Sequence, residues 1–190
     1  MDNLPSNIRP NPAGDLPQVD PSAYIDPSAQ VIGNVRIGAG VFVGPCAVIR
    51  SDEPDSGGKV HPVVIGEACN IQDGVIIHSP AGTSVTIGPR CSIAHGAVVH
   101  GPVTIGPDSF IGIRVVVIGS NLDEGVWVGV GATILEIDVP AYTFVPGKLI
   151  VNSADKVANL SPVKDSQQTF QRGQVAINQA MTSGYLGLAK

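Results

Sequence analysis

At 190 residues the chain is long enough for one domain with a buried core and too short for two comfortable ones. Its 23 glycines and 16 prolines, with 4% aromatic and 14% charged residues, suit an all-β solenoid with many tight corners better than a helical bundle. A net charge of -5 argues against nucleic acid or an anionic membrane as partner, and no run approaches the ~18 apolar residues of a membrane span.

Residues 1–18 read as an N-terminal extended segment. The start, MDNLPSNIRPNPAGD, has no apolar stretch of the secretory kind, and three cysteines cannot all pair, so a cytoplasmic location is expected. From about residue 19 to 150 aliphatic residues recur every six positions: Ile25, Val31, Ile37, Val43 and Ile49, then Ile65, Ile71 and Ile77. The series continues through Ile87, Ile93, Val99, Ile105, Ile111 and Val117, slips, and returns at Leu122, Val128 and Ile134. Two positions before these sit small or β-branched residues such as Ala29, Val41, Cys69, Cys91 and Ser109, which is a core role for both cysteines. A helical stripe would give spacings of three and four. Hexapeptide repeats mark a left-handed parallel β-helix, each repeat forming one side of a triangular prism. Two corners are stretched, at residues 50–64 and 78–86, and both follow the same side of a coil. Residues 151–190 read as a linker and one terminal helix over Asp165–Met181, with Phe170, Gln174, Ile177 and Met181 at helical spacing for packing along the prism.

The repeat turns scattered polar residues into columns. His78 follows Ile77 and His100 follows Val99, so the two occupy the same position on adjacent coils, about 4.8 Å apart. Arg50, after Ile49, heads that column. Asp73 and His95, each two residues past an inward isoleucine, stack on a different side, with Gln72 beside them. Neutral imidazole is a common zinc ligand, and three protein ligands plus water is the arrangement of a catalytic zinc site. A lone histidine is ordinarily a surface residue, and His61 keeps that reading. His95 belongs to another prism face than His78 and His100, and outer faces diverge, so one subunit cannot readily close all three on one metal. Neighbouring prisms around a threefold axis can, which predicts a homotrimer with metal sites between subunits.

The strings IRSDE, NIQDGVIIH and SIAHGAVVHGPVTIG resemble those of the gamma-class carbonic anhydrases, over most of the chain from about Pro21 to the terminal helix. The resemblance implies a trimeric left-handed β-helix with zinc held by His78 and His100 of one subunit and His95 of its neighbour; iron or cobalt can also occupy such sites. It implies reversible hydration of carbon dioxide to bicarbonate, with Gln72 orienting the zinc-bound hydroxide and Asn70 lining the pocket. Arg50 with Asp73 resembles an ion pair across the interface, and Asp52 and Glu53 match carboxylates near the site.

Three features depart from that pattern. The loop after the first histidine reads SPAGTSVT and lacks the acidic proton shuttle, as in the subclass without an acidic loop and in carboxysome-associated relatives. The corner EPDSGGKVH is longer than in the closest patterns. The family's asparagine in the terminal helix has no secure counterpart, the stretch reading QRGQ around Gln174. Slow proton release is therefore expected. A hexapeptide-repeat acyltransferase and a low-activity metal-binding trimeric scaffold are the alternative readings; the first would need neither stacked histidines nor the NIQD string.

Overall fold

The computed structural model describes residues 6–188. Its three sheets form the sides of a parallel β-helix. The first sheet has eight strands, including Gln30–Gly33, Val48–Ser51, Ile76–His78, Val98–His100 and Val116–Ile118. It opens at Ile8–Arg9, which pairs with the strand beginning at Gln30. The second has six, among them Val63–Ile65, Val85–Ile87 and Val103–Ile105. The third has eight, among them Tyr24–Ile25, Phe42–Val43, Asn70–Ile71, Ser92–Ile93, Phe110–Ile111 and Trp127–Val128. Every pairing is parallel except that of Ser161–Pro162, which closes the third sheet.

The period of six is the cause of this architecture. Val31, Ile49, Ile71, Ile77, Ile93, Val99, Ile111 and Val117 are fully buried, and each fully buried aliphatic side chain contributes about 1.5–3 kcal/mol. In the alternate inward position Ala29, Val41, Cys69, Val75, Cys91 and Ala97 fill the narrower space near the corners, so Cys69 and Cys91 are core residues. The corners need left-handed backbone. Asp73 and His95 are each followed by glycine in that region, Gly74 at φ 66° and Gly96 at φ 65°. Above them Gly44 allows a close approach: a Cβ there would lie 2.7 Å from Asp73 Oδ1 and 3.1 Å from its backbone nitrogen.

Past the solenoid a short helix α1 (Ala154–Ala158) leads to α2 (Asp165–Leu188), which lies along the outer side of the third sheet. Its buried residues are Gln171, Val175, Asn178 and Thr182. The sequence reading placed Phe170, Gln174, Ile177 and Met181 along the packing side; Phe170 does meet the sheet although it is 50% exposed, whereas Ile177 is 54% exposed and the buried face is the polar one. The reason is chemical. The middle of the sheet face under α2 is polar, and Gln171 Nε2 donates to the carbonyls of Arg90 (2.8 Å) and Ser109 (3.1 Å) there. Apolar contacts hold the helix at its ends, where Tyr185 stacks on Tyr24 at 4.6 Å and Phe170 meets Phe110 edge-on at 5.8 Å. No helix of the described residues is long and apolar enough to cross a membrane.

Candidate metal centre

Parallel pairing in register delivers the histidine column. Arg50, His78 and His100 are partners on successive strands of the first sheet, one rung apart. The two imidazoles stand edge to face with centroids 5.1 Å apart. Arg50 Nη2 lies 3.1 Å from His78 Nε2. A guanidinium can only donate, so Nε2 is the acceptor and the ring proton sits on Nδ1. The same guanidinium reaches Asp52 at 3.1 Å and Glu53 at 3.3 Å. Glu53 Oε1 is also 3.1 Å from His78 Nε2, a contact between two acceptors that the Arg50 nitrogen bridges. Burial, and after it the charge of Arg50, holds the His78 imidazole below its ordinary pKa, while Glu53 opposes the shift. His78 is therefore neutral at pH 7, the state in which imidazole binds a metal.

The donor set fits a cation. Two imidazoles project from one column, and the Oδ1 of Asp52, buried beside them, has no hydrogen-bond partner. Within one chain, among the described residues, the group whose ligand atoms lie within 4.8 Å of one another is Asp52, Glu53 and His78. His95 does not join it. It follows the Ser92–Ile93 strand of the third sheet, half exposed, with Nδ1 3.4 Å from Asp73 Oδ2. Arg50 and Asp73 thus have separate partners inside one chain.

Around the corner from the column lies a groove of about 260 Å³ between the third sheet and α2. Its sheet side is an aromatic column, Phe42 to Phe110, interrupted by Asn70 and Ser92 on adjacent rungs. Gln72 Nε2 donates to Asn70 Oδ1 and, at 3.0 Å, to Asn178 Oδ1 of α2. Asn178 in turn donates to the Gln174 carbonyl, 2.9 Å away. His95 lines the same groove, whose outer wall is the apolar set Ile113, Phe170, Ile177 and Met181. The polar floor therefore includes Asn178, a residue the sequence reading passed over in favour of Gln174, one helical turn earlier. The spacing of four was the available signal: residues 174 and 178 share one helix face.

Residues 17–51 match the family model described as bacterial transferase hexapeptide (six repeats). The chain is 32% identical to the carbonic anhydrase of Methanosarcina thermophila, over 95% of this chain and 81% of that protein. It is 35% identical to the carboxysome assembly protein CcmM of a Nostoc species over 89% of this chain, and spans only 31% of that protein's length. Its backbone is similar to the solved structure of a putative acetyltransferase of Bacillus cereus, with a TM-score of 0.80 over 96% of this chain and 99% of that one; at 19% identity the likeness is one of fold.

Proposed function

Because the chain belongs to the hexapeptide-repeat family, we propose that it is a gamma-class carbonic anhydrase, hydrating carbon dioxide reversibly to bicarbonate as a homotrimer. The observation that carries this reading is the register of His78 on His100, with Arg50 above them and His95 half exposed on a different face. His78 and His100 of one chain would hold zinc together with His95 of a second copy; iron or cobalt would suit the same donors. When bound, the metal would supply a water whose pKa is lowered to about 7, an effect for which carbonic anhydrase is itself the standard example.

The chain's own groups do the rest. Asp73, 3.4 Å from His95 Nδ1, would orient that ring and leave Nε2 for a metal. Gln72, held by Asn70 and Asn178, presents its amide to the groove and orients the attacking oxygen. Carbon dioxide is small and nonpolar, and Ile113, Ile177 and Met181 give it an apolar wall. These residues are 41%, 54% and 39% exposed in one chain, which supports a second copy as their cover. The reaction consumes carbon dioxide and water and yields bicarbonate and a proton, so a route for that proton is also needed.

Stopped-flow hydration by metal-replete protein, with elemental analysis of the same sample, tests the reading. Hydration together with one zinc per chain is expected. Metal-free active protein, or metal-replete trimer without hydration, counts against it. The second outcome is the one favoured by the similarity to CcmM and by a loop Ser79–Ser84 without a carboxylate, and would make the chain a metal-binding scaffold.

A further inference from the structure

The stretched corner 52–62 carries a second histidine that the metal does not need. Asp55 is fixed there by its own backbone: its Oδ1 accepts the N–H of Gly57 at 2.8 Å and of Lys59 at 3.0 Å. Its Oδ2 lies 2.9 Å from His61 Nε2. The hydrogen bond from His61, and after it that from Lys59, hold the Asp55 carboxyl below the ordinary carboxylate range, so it is an anion. An anionic carboxylate only accepts, hence His61 Nε2 carries a proton and donates to it, leaving Nδ1 as the ring atom turned away from Asp55. The His61 carbonyl is bonded by the hydroxyl of Ser51, the buried residue next to Arg50.

The Asp55 end of the pair lies beside the loop that leaves the His78 strand. Asp55 Cβ is 3.9 Å from where a side chain on Gly82 would begin, and Glu53 Oε2 accepts the Ala81 N–H at 3.3 Å. The corner therefore abuts the loop that leads out of the His78 strand. Both members are partly in water, with the His61 side chain 29% and that of Asp55 27% exposed. The charged groups on the His61 corner are Asp52, Glu53, Asp55 and Lys59, and the facing loop, residues 79–84, contributes none. A histidine oriented by a carboxylate and partly open to solvent has the attributes of a proton carrier.

We infer that the His61–Asp55 pair is the proton relay of this protein, in the place of the acidic loop it lacks. Hydration releases one proton per bicarbonate. His61 Nδ1 takes it through water, the imidazolium is stabilised by the Asp55 anion across Nε2, and the proton passes to solvent or buffer, returning the ring to its starting state. The inference rests on the carbonic anhydrase reading and would give His61 a role beyond that of an ordinary surface residue.

The test uses zinc-replete full-length protein, wild type against His61→Ala and His61→Gln, the second retaining a hydrogen bond to Asp55 with nothing to titrate. In dilute buffer kcat should fall at least about tenfold in both variants, at constant kcat/KM for carbon dioxide, and added imidazole should restore it. Independently of activity, the His61 Nε2 proton should give a downfield, hydrogen-bonded NMR resonance that is lost in Asp55→Ala. An active wild type whose kcat is unchanged by both substitutions overturns the relay and leaves the carbonic anhydrase reading intact, as does the absence of that resonance. No hydration by the metal-replete wild type removes both.

Discussion

Replacing Asn178 by alanine perturbs the polar floor of the groove without touching a histidine. The substitution removes the acceptor 3.0 Å from Gln72 Nε2 and the donor 2.9 Å from the Gln174 carbonyl. A neutral hydrogen bond is worth about 0.5–1.5 kcal/mol net, and a buried polar group left unpaired costs about 1–3 kcal/mol. Gln72 keeps Asn70 as a partner, and alanine is up to about 0.7 kcal/mol the better helix former, so the loss should settle near ~1–2 kcal/mol. For a chain of this size that is roughly 2–8 °C in Tm. Activity should suffer more than stability, because Gln72 is then held from one side only. A fall in kcat of about 10- to 100-fold at unchanged zinc content is expected, the scale of losing a group that orients a metal site. Gln72→Ala should give the same fall. The double variant should lose little further, which the cycle reads as a coupling of about 0.5–3 kcal/mol. Additive losses, or loss of zinc from either single variant, would refute the idea that α2 acts through Gln72.

Three further expectations follow from the same geometry. His95→Ala should remove zinc and loosen the trimer together, since each site would draw ligands from two chains; sedimentation and elemental analysis check it, and a wild-type monomer with full metal would sink it. Phe170→Asp with Ile177→Asp should dissociate the trimer, as seen by size-exclusion chromatography, while the circular dichroism of the solenoid is kept; an unaltered trimer would place the interface elsewhere. Gly44→Ala should cost about 1–3 kcal/mol in chemical denaturation, because the new Cβ meets the backbone of Asp73 at 3.1 Å, and an unchanged midpoint would show that the rung relaxes freely.

What could be read from the chain and what could not divide along one line: whether a residue's neighbours are fixed by the repeat. Ile49, Ile77 and Val99 are inward, and Arg50, His78 and His100 outward, because the period of six and a parallel ladder leave no other register. The same logic separates His95 from His78. It fails for α2, where the apolar residues at helical spacing suggest the wrong face. The sheet beneath offers carbonyls and amides at its centre, so Gln171 and Asn178 are buried and Phe170 and Ile177 are left at the surface. No period marks that preference, since the bond between Gln72 and Asn178 joins residues on different elements far apart in sequence. His61 escaped for a related reason. Its partner lies six residues away in a loop without repeat, folded back on itself by the Asx-type bonds of Asp55 to Gly57 and Lys59 and by backbone bonds between Asp55 and residues 58 and 59.

The position of Arg50 ties assembly to metal loading in the proposed trimer. In one chain its Nη2 donates to His78 Nε2, the very lone pair a zinc ion would need. Loading therefore requires Arg50 to leave. It keeps Asp52 and Glu53 within reach, but both are already bonded to it, so they offer it no gain for moving. Asp73 of a second copy would. Among the described residues that carboxylate has His95, at 3.4 Å, as its ionic partner, and it stands on the face that must meet the column if His95 is to complete the ligand set. One contact between subunits would then draw Arg50 off His78, neutralise Asp73 and bring His95 to the metal. On this reasoning Arg50 would be a guard on the ligand, paired with His78 until a second copy offered it Asp73.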